Sequence, residues 1–257
     1  MLSRKKKKII RRSILAVLFI GLIAVVSWMG YQWWRYQRIR LTRYPEFGIY
    51  IPDGYTIHGI DVSKYQQTIA WDAVQAMNVR DVQLGFAFIK ATEGIDNGDP
   101  EFSRNWRKAK ANGMVRGAYH FFIASKDGKM QAESFINRVD LQPGDLPPVL
   151  DVEQTFGLKT DELKANIKTW LDVAENYYHV KPIIYTNVDF YKHYLGSDFD
   201  QYPLWVAHYY QSHQPRIDRG WLFWQHSDQG HVNGIIPYVD FNVFAGDSTA
   251  FKDILVK

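Results

Sequence analysis

The sequence predicts an α/β fold: an irregular (β/α)8-like barrel with a helix-poor closing half, preceded by one transmembrane helix. Three observations predict it. Eight short apolar runs of β type recur between residues 57 and 244, helix-like segments separate the earlier runs, and residues 13–34 form an uncharged stretch near the N-terminus. Strands that alternate with helices pair in parallel, and about 200 residues of such alternation is near the short end for a barrel of this kind. The alternative is a doubly wound open sheet. No Gly-x-Gly-x-x-Gly follows the first strand, which argues against a dinucleotide-binding version of it.

In chain order, residues 1–12 are a basic tail, RKKKKIIRR at their centre. Residues 13–34 are apolar over a length that spans a bilayer as a helix. Trp28, Trp33 and Trp34 stand at the far end as an interfacial belt would, and Arg35, Arg38, Arg40 and Arg43 follow. The denser basic cluster precedes the span, so the N-terminus is expected in the cytoplasm and the rest outside, on a periplasmic or extracellular face. A cleaved signal peptide is the alternative, but the bulky SWMGYQWW offers no small-residue cleavage site. Residues 35–56 read as a linker and 57–257 as the barrel domain.

Charge divides the same way. Residues 1–43 hold 11 Lys and Arg and no acid, leaving 20 of the 31 basic residues against all 27 acidic ones. An acidic exported domain argues against nucleic acid as a partner. The chain has no cysteine, which excludes disulfides, thiolate metal sites and a Cys nucleophile.

The strand candidates are 57–63, 86–92, 116–122, 147–153, 182–186, 203–209, 221–227 and 239–244; the helix candidates are 69–77, 101–112, 129–139 and 161–178. In the last of these Thr160 is a candidate N-cap, and Leu163, Ile167, Trp170, Leu171 and Ala174 share a face. Trp106, Trp170 and Phe135 read as core. The gaps between the last three strands are too short or too rich in Gly and Pro for full helices.

A parallel barrel builds its site at the C-terminal ends of its strands. Polar residues fall there repeatedly: Asp61; Lys90 and Glu93; Tyr119 and His120; Asp151 and Glu153; Tyr185; Trp205, His208 and Tyr209; Gln225 and His226; Asp240 and Asn242. Asp151 and Glu153, in LPPVLDVEQTFG, stand at i and i+2 and share a strand face, about 6.6 Å apart along the backbone. Two acids so close separate in proton affinity, so that one holds a proton while the other stays ionised, as glycoside hydrolysis requires. The spacing lies between those of retaining and inverting enzymes and selects neither. His120, His208 and His226 lack short metal-ligand spacing and are expected to be hydrogen-bonded wall residues, with no metal and no cofactor. Lys90 is expected in an ion pair with Glu93 or Asp61 at the mouth, among the substrate-binding residues, and not as a Schiff-base former.

In order and spacing, HGIDVSKYQ, FAFIKATEG, RGAYHFF, PPVLDVE, PIIYTN, PLWVAHY, WLFWQHSDQGHVNGI and VDFNVF resemble the glycoside hydrolase family 25 lysozymes, the Chalaropsis-type N-acetylmuramidases, over residues 57–246. The resemblance implies a β-1,4-N-acetylmuramidase acting on peptidoglycan glycan strands. It implies Glu153 as general acid and Asp151 as stabiliser of the cationic or oxazolinium intermediate. Asp61 and Asp240 would be the other two catalytic-site acids, and Tyr119, Tyr185, Trp205, Tyr209 and Gln225 would line the glycan groove. Together with the anchor this reads as a monomeric enzyme that remodels wall within reach of its linker. A non-catalytic peptidoglycan-binding protein and a metal-dependent amide hydrolase on a similar barrel are the alternatives.

Overall fold

The computed structural model describes residues 4–37 and 41–257, which fall in two units, Met1–Arg40 and Leu41–Lys257. The first is a single helix, α1 (Arg4–Gln37), whose stretch Ile14–Tyr31 is long and apolar enough to cross a membrane. Of the flanking basic residues, Arg38 and Arg40 lie outside the described residues.

The second unit begins earlier than the sequence suggested. Residues 41–52, read as linker, form an antiparallel hairpin of β1 (Leu41–Tyr44) and β2 (Ile49–Pro52). Phe47 in its turn is fully buried, its ring 5.1 Å from that of Phe241, so the hairpin is part of the domain's core.

Eight strands then close a barrel: β3 (His58–Val62), β5 (Val82–Glu93), β7 (Val115–Phe121), β8 (Val149–Asp151), β9 (Ile183–Asn187), β10 (Leu204–Ala207), β11 (Phe223–Gly230) and β12 (Val239–Phe244). Two short bridges, β4 (Asn78–Val79) and β6 (Asn97–Gly98), pair antiparallel with β5 near its two ends. Helices α2 (Trp71–Ala76), α3 (Phe102–Ala111), α4 (Gly128–Ile136) and α5 (Thr160–Tyr178) fill the first four crossovers. After β9 only a short turn, α6 (Val188–Phe190), continues into a wider turn at Tyr191–Leu195, and α7 (Ser248–Asp253) follows β12. The closing half is therefore helix-poor, as the Gly and Pro content of its gaps predicts.

Two expectations need correction. Thr160 is the first residue of α5, not its cap; Lys159 precedes it and no side chain caps that end, where Asp161 and Glu162 place negative charge against the helix dipole. And β12 runs antiparallel to both its neighbours, β11 and β3. The eight residues between β11 and β12 are too few for a parallel crossover. Strand reversal has a chemical consequence, because the mouth then meets the first residues of β12, where Asp240 lies.

The barrel interior is aromatic. Phe86, Phe88, Trp205, Phe223 and Phe244 pack with Phe251 of α7, and Phe88 stacks on Trp205 at 4.2 Å. Rings this large need room opposite: a Cβ on Gly59 would lie 2.5 Å from the Phe86 ring, and one on Gly117 2.5 Å from the Phe88 ring. Outside the strands, Leu163, Ile167, Trp170 and Leu171 of α5 pack with Phe135 of α4 in a second layer. Trp106 is half-buried, between the Phe102 ring and the Arg116 guanidinium, which in turn holds the buried Asp145 at 2.8 and 3.0 Å.

Candidate active site

Side chains alternate along a strand, so residues two beyond an interior core residue also point inward. That parity builds the site. Lys90 follows Phe88, Tyr119 follows Gly117, Asp151 follows Val149, Tyr185 follows Ile183, Gln225 follows Phe223 and Asp61 follows Gly59. These six, with Glu153, Trp205 and Asp240, line one cavity of about 220 Å3 at the mouth. Tyr209 joins them through its hydroxyl, which donates to Gln225 Oε1 at 2.7 Å. Val62, Ser63, Tyr65, Gln66 and Phe121 complete the lining and were not singled out from the sequence. A legible signal existed for three of them: Ser63 and Gln66 form a capping box around the turn that carries Tyr65.

The same parity removes the histidines. His120 points outward into the helix layer, stacked on Trp170 at 5.7 Å, its Nδ1 2.7 Å from Thr92 Oγ1 and its Nε2 3.2 Å from Gln131 Oε1. His226 packs its ring against Trp224 and Phe241. Burial pushes both imidazoles down to about 3, so they stay neutral. His208 Nδ1 accepts from the Arg216 backbone N–H at 3.0 Å. The expectation of hydrogen-bonded walls fits His120 and His208, whereas the buried Nε2 of His226 has no partner among the described residues. Among the described residues, no three His, Asp or Glu side chains are arranged to hold a metal.

Asp61 and Asp240 are direct cross-strand partners on β3 and β12. Two like charges placed so would repel, and one proton resolves it. Asp61 Oδ2 accepts from Gln225 Nε2 at 2.8 Å and from Asn242 Nδ2 at 2.7 Å. Burial pushes both carboxyls up, but the hydrogen bonds to Asp61 favour its charged form, whereas its charge raises Asp240 further, to about 9. The two amide donors to Asp61 thus leave Asp240 the better proton holder of the pair. Asn242 also accepts from Trp205 Nε1 at 2.7 Å, which fixes the Trp205 ring as floor of the mouth.

Asp151 ends β8 and Glu153 lies two residues beyond the strand. The chain keeps its extended course past the strand end because the Val152 N–H donates to the Tyr185 carbonyl at 2.9 Å. Asp151 is 6% exposed and its Oδ1 has no hydrogen-bond partner among the described residues. Burial, then the Glu153 charge, push its carboxyl well up, against the pull of Lys90. Burial also raises Glu153. The Tyr185 hydroxyl has one proton, and it donates that proton to Gln225 Oε1 at 2.8 Å. With no ligand present the deeper acid, Asp151, is the better proton holder of the two. Lys90 pairs with Glu93 at 2.5 Å and stands 4.7 Å above the Phe121 ring, a fixed positive charge beside both acids. Tyr119 is held protonated by burial and by the surrounding carboxylates.

The arrangement supplies two adjacent acids of raised proton affinity, one of them with an unpartnered oxygen, and a fixed cation in a cleft with neutral donors around it. Comparison with known proteins accords with that chemistry. The model of the family described as Glycosyl hydrolases family 25 matches residues 60–235. The chain is 50% identical over 200 residues to the Escherichia coli (strain K12) protein YegX, covering 78% of this chain and 74% of that one. To Lysozyme M1 of Streptomyces globisporus it is 34% identical over 212 residues, 75% of this chain and 69% of the relative. Among solved structures, a family 25 glycosyl hydrolase from Bacillus anthracis superposes with a TM-score of 0.73 at 32% identity, over 82% of this chain and 99% of that one.

Proposed function

The chain belongs to glycosyl hydrolase family 25, and from that premise we propose that it is a membrane-anchored muramidase that cuts the β-1,4 bond between N-acetylmuramic acid and N-acetylglucosamine in peptidoglycan. The observation that carries the reading is the unpartnered Asp151 Oδ1 beside Glu153. A buried carboxylate oxygen without a donor is unfavourable until something supplies one. The acetamido N–H of a bound sugar is such a donor, and the positive charge that develops at the anomeric carbon is such a partner.

Substrate binding in this way favours the charged form of Asp151 and leaves the proton to Glu153. Glu153 then protonates the glycosidic oxygen as the C–O bond breaks. Asp151 stabilises the resulting cation, either directly or by holding the acetamido group as it closes to an oxazolinium, and water completes hydrolysis. Asp61, with Asp240 protonated beside it, provides one fixed negative charge, while Gln225 and Tyr185 hold the groups that face Glu153.

The apolar stretch Ile14–Tyr31, with the basic cluster before it, supports a single-pass anchor with the barrel on the periplasmic or extracellular side. Because the hairpin takes up residues 41–52, only residues 38–40 lie between α1 and β1. So short a connection favours cutting of glycan close to the membrane. This suits local remodelling of the wall.

Purified full-length chain incubated with peptidoglycan tests the activity. Mass spectrometry of the reduced products should find new reducing ends on N-acetylmuramic acid; reducing ends on N-acetylglucosamine, or none, would refute the reading. Cell fractionation tests the anchor: the chain should stay with membranes after alkaline washing, and a soluble form lacking residues 1–34 would contradict it.

A further inference from the structure

A second cavity, of about 280 Å3, opens beside the mouth. It is lined by Tyr50 of the hairpin, Tyr209, Tyr210 and Gln211 after β10, and Asp228 and Gln229 of β11, with a few neighbours. Tyr209 belongs to both places: it lines this cavity while its hydroxyl bonds Gln225 in the catalytic mouth.

Both walls are fixed without a ligand. The His208 N–H donates to the Gln225 carbonyl at 3.1 Å, Trp224 Nε1 to the His208 carbonyl at 2.8 Å, and Gln211 Nε2 to the Tyr209 carbonyl at 3.0 Å. On the other side the His231 N–H donates to the Phe47 carbonyl at 2.8 Å, tying the hairpin turn to the end of β11. Between these braces Tyr210 is held at φ +58°, a conformation unfavourable for a bulky residue, with its side chain 84% exposed. Tyr50 is 55% exposed. Two large aromatic side chains are thus displayed to solvent on rigid supports at one cavity.

We propose that this cavity is a further sugar subsite, which takes one N-acetylhexosamine ring of a glycan strand whose neighbouring rings occupy the catalytic mouth. Tyr50 and Tyr210 supply stacking surface, and Gln211, Asp228 and Gln229 supply hydrogen bonds to hydroxyl and acetamido groups. The size suits one ring, being at the lower end of ligand pockets, which run upward from about 300 Å3. The lining contains no Lys or Arg, and Asp228 contributes a negative charge. A carboxylate-bearing stem peptide is disfavoured there and a neutral sugar is not. The hairpin precedes the family-matched segment, so one wall of the subsite lies outside the matched segment. The identity of the glycan rests on the muramidase reading.

The test uses the full chain in detergent micelles, with Glu153→Gln to prevent turnover, titrated calorimetrically with peptide-free peptidoglycan glycans of two and of six sugars. Tyr50→Ala with Tyr210→Ala should weaken binding of the six-sugar glycan about tenfold and that of the two-sugar glycan by less than about twofold. Both side chains are exposed, so neither change opens the core. Equal losses on both lengths, no loss on either, or a loss seen only when stem peptides are attached would each overturn the proposal. A wild-type chain that cuts no peptidoglycan would sink the muramidase reading separately, since the titration needs no turnover.

Discussion

The mouth holds two pairs of acids that are built in opposite ways. Asp61 sits opposite Asp240 on the adjacent strand and accepts from two amide donors, so the protein itself engages it. Asp151 stands on β8, four strands around the ring from β12, beside Glu153, and its Oδ1 is satisfied by nothing. On the proposed mechanism, the difference separates acids that serve as scaffold from acids that act as reagent. A carboxylate fully engaged by its own protein has little left to offer a substrate, whereas a buried, unengaged one is unfavourable until the substrate arrives.

The widest break in that comparison is at the reagent pair. Glu153→Gln keeps the shape and removes the transferable proton; kcat on purified peptidoglycan should fall about 10²–10⁴-fold with little change in KM. The scaffold pair should respond unequally. Asp61→Asn confronts the Gln225 and Asn242 amide donors with another amide and should cost about 1–3 kcal/mol in denaturant unfolding. Asp240→Asn keeps a neutral donor toward Asp61 and should lower kcat by less than about tenfold.

Asp151→Asn sharpens the contrast through stability. Its folded-state proton affinity is raised, so the native chain binds more protons there than the unfolded chain. Stability from this group is present below the usual carboxylate range and is lost as pH rises through the folded value. The substitution should therefore stabilise the barrel by about 1–3 kcal/mol at neutral pH, the gain shrinking as pH falls toward 4, while turnover is lost. The smallest effect is expected at Lys90. Its charge lowers the proton affinity of both Asp151 and Glu153, so Lys90→Met should move the acidic limb of the pH–rate profile upward.

Much of this was legible in the sequence because period-2 alternation carries both core and site. VLDVE on β8 and FAFIK on β5 announce interior apolar residues followed by inward polar groups. Features made by contact were not legible. The hairpin's runs are only four residues long, in a segment whose Pro and polar residues read as linker; Phe47, which pins it, is a single ring whose partner Phe241 is almost 200 residues away. The tie between Asn242 and Asp61 likewise joins the two ends of the domain. The reversal of β12 had a signal in the short gap before it. The outward placement of His120 and His226 had one too, in their parity against Tyr119 and Gln225.

The division between reagent and scaffold acids is tested most directly by one measurement: kcat of full-length Glu153→Gln and Asp240→Asn on the same peptidoglycan preparation. The first should be slower than the second by about tenfold or more. Equal losses in the two variants would contradict it.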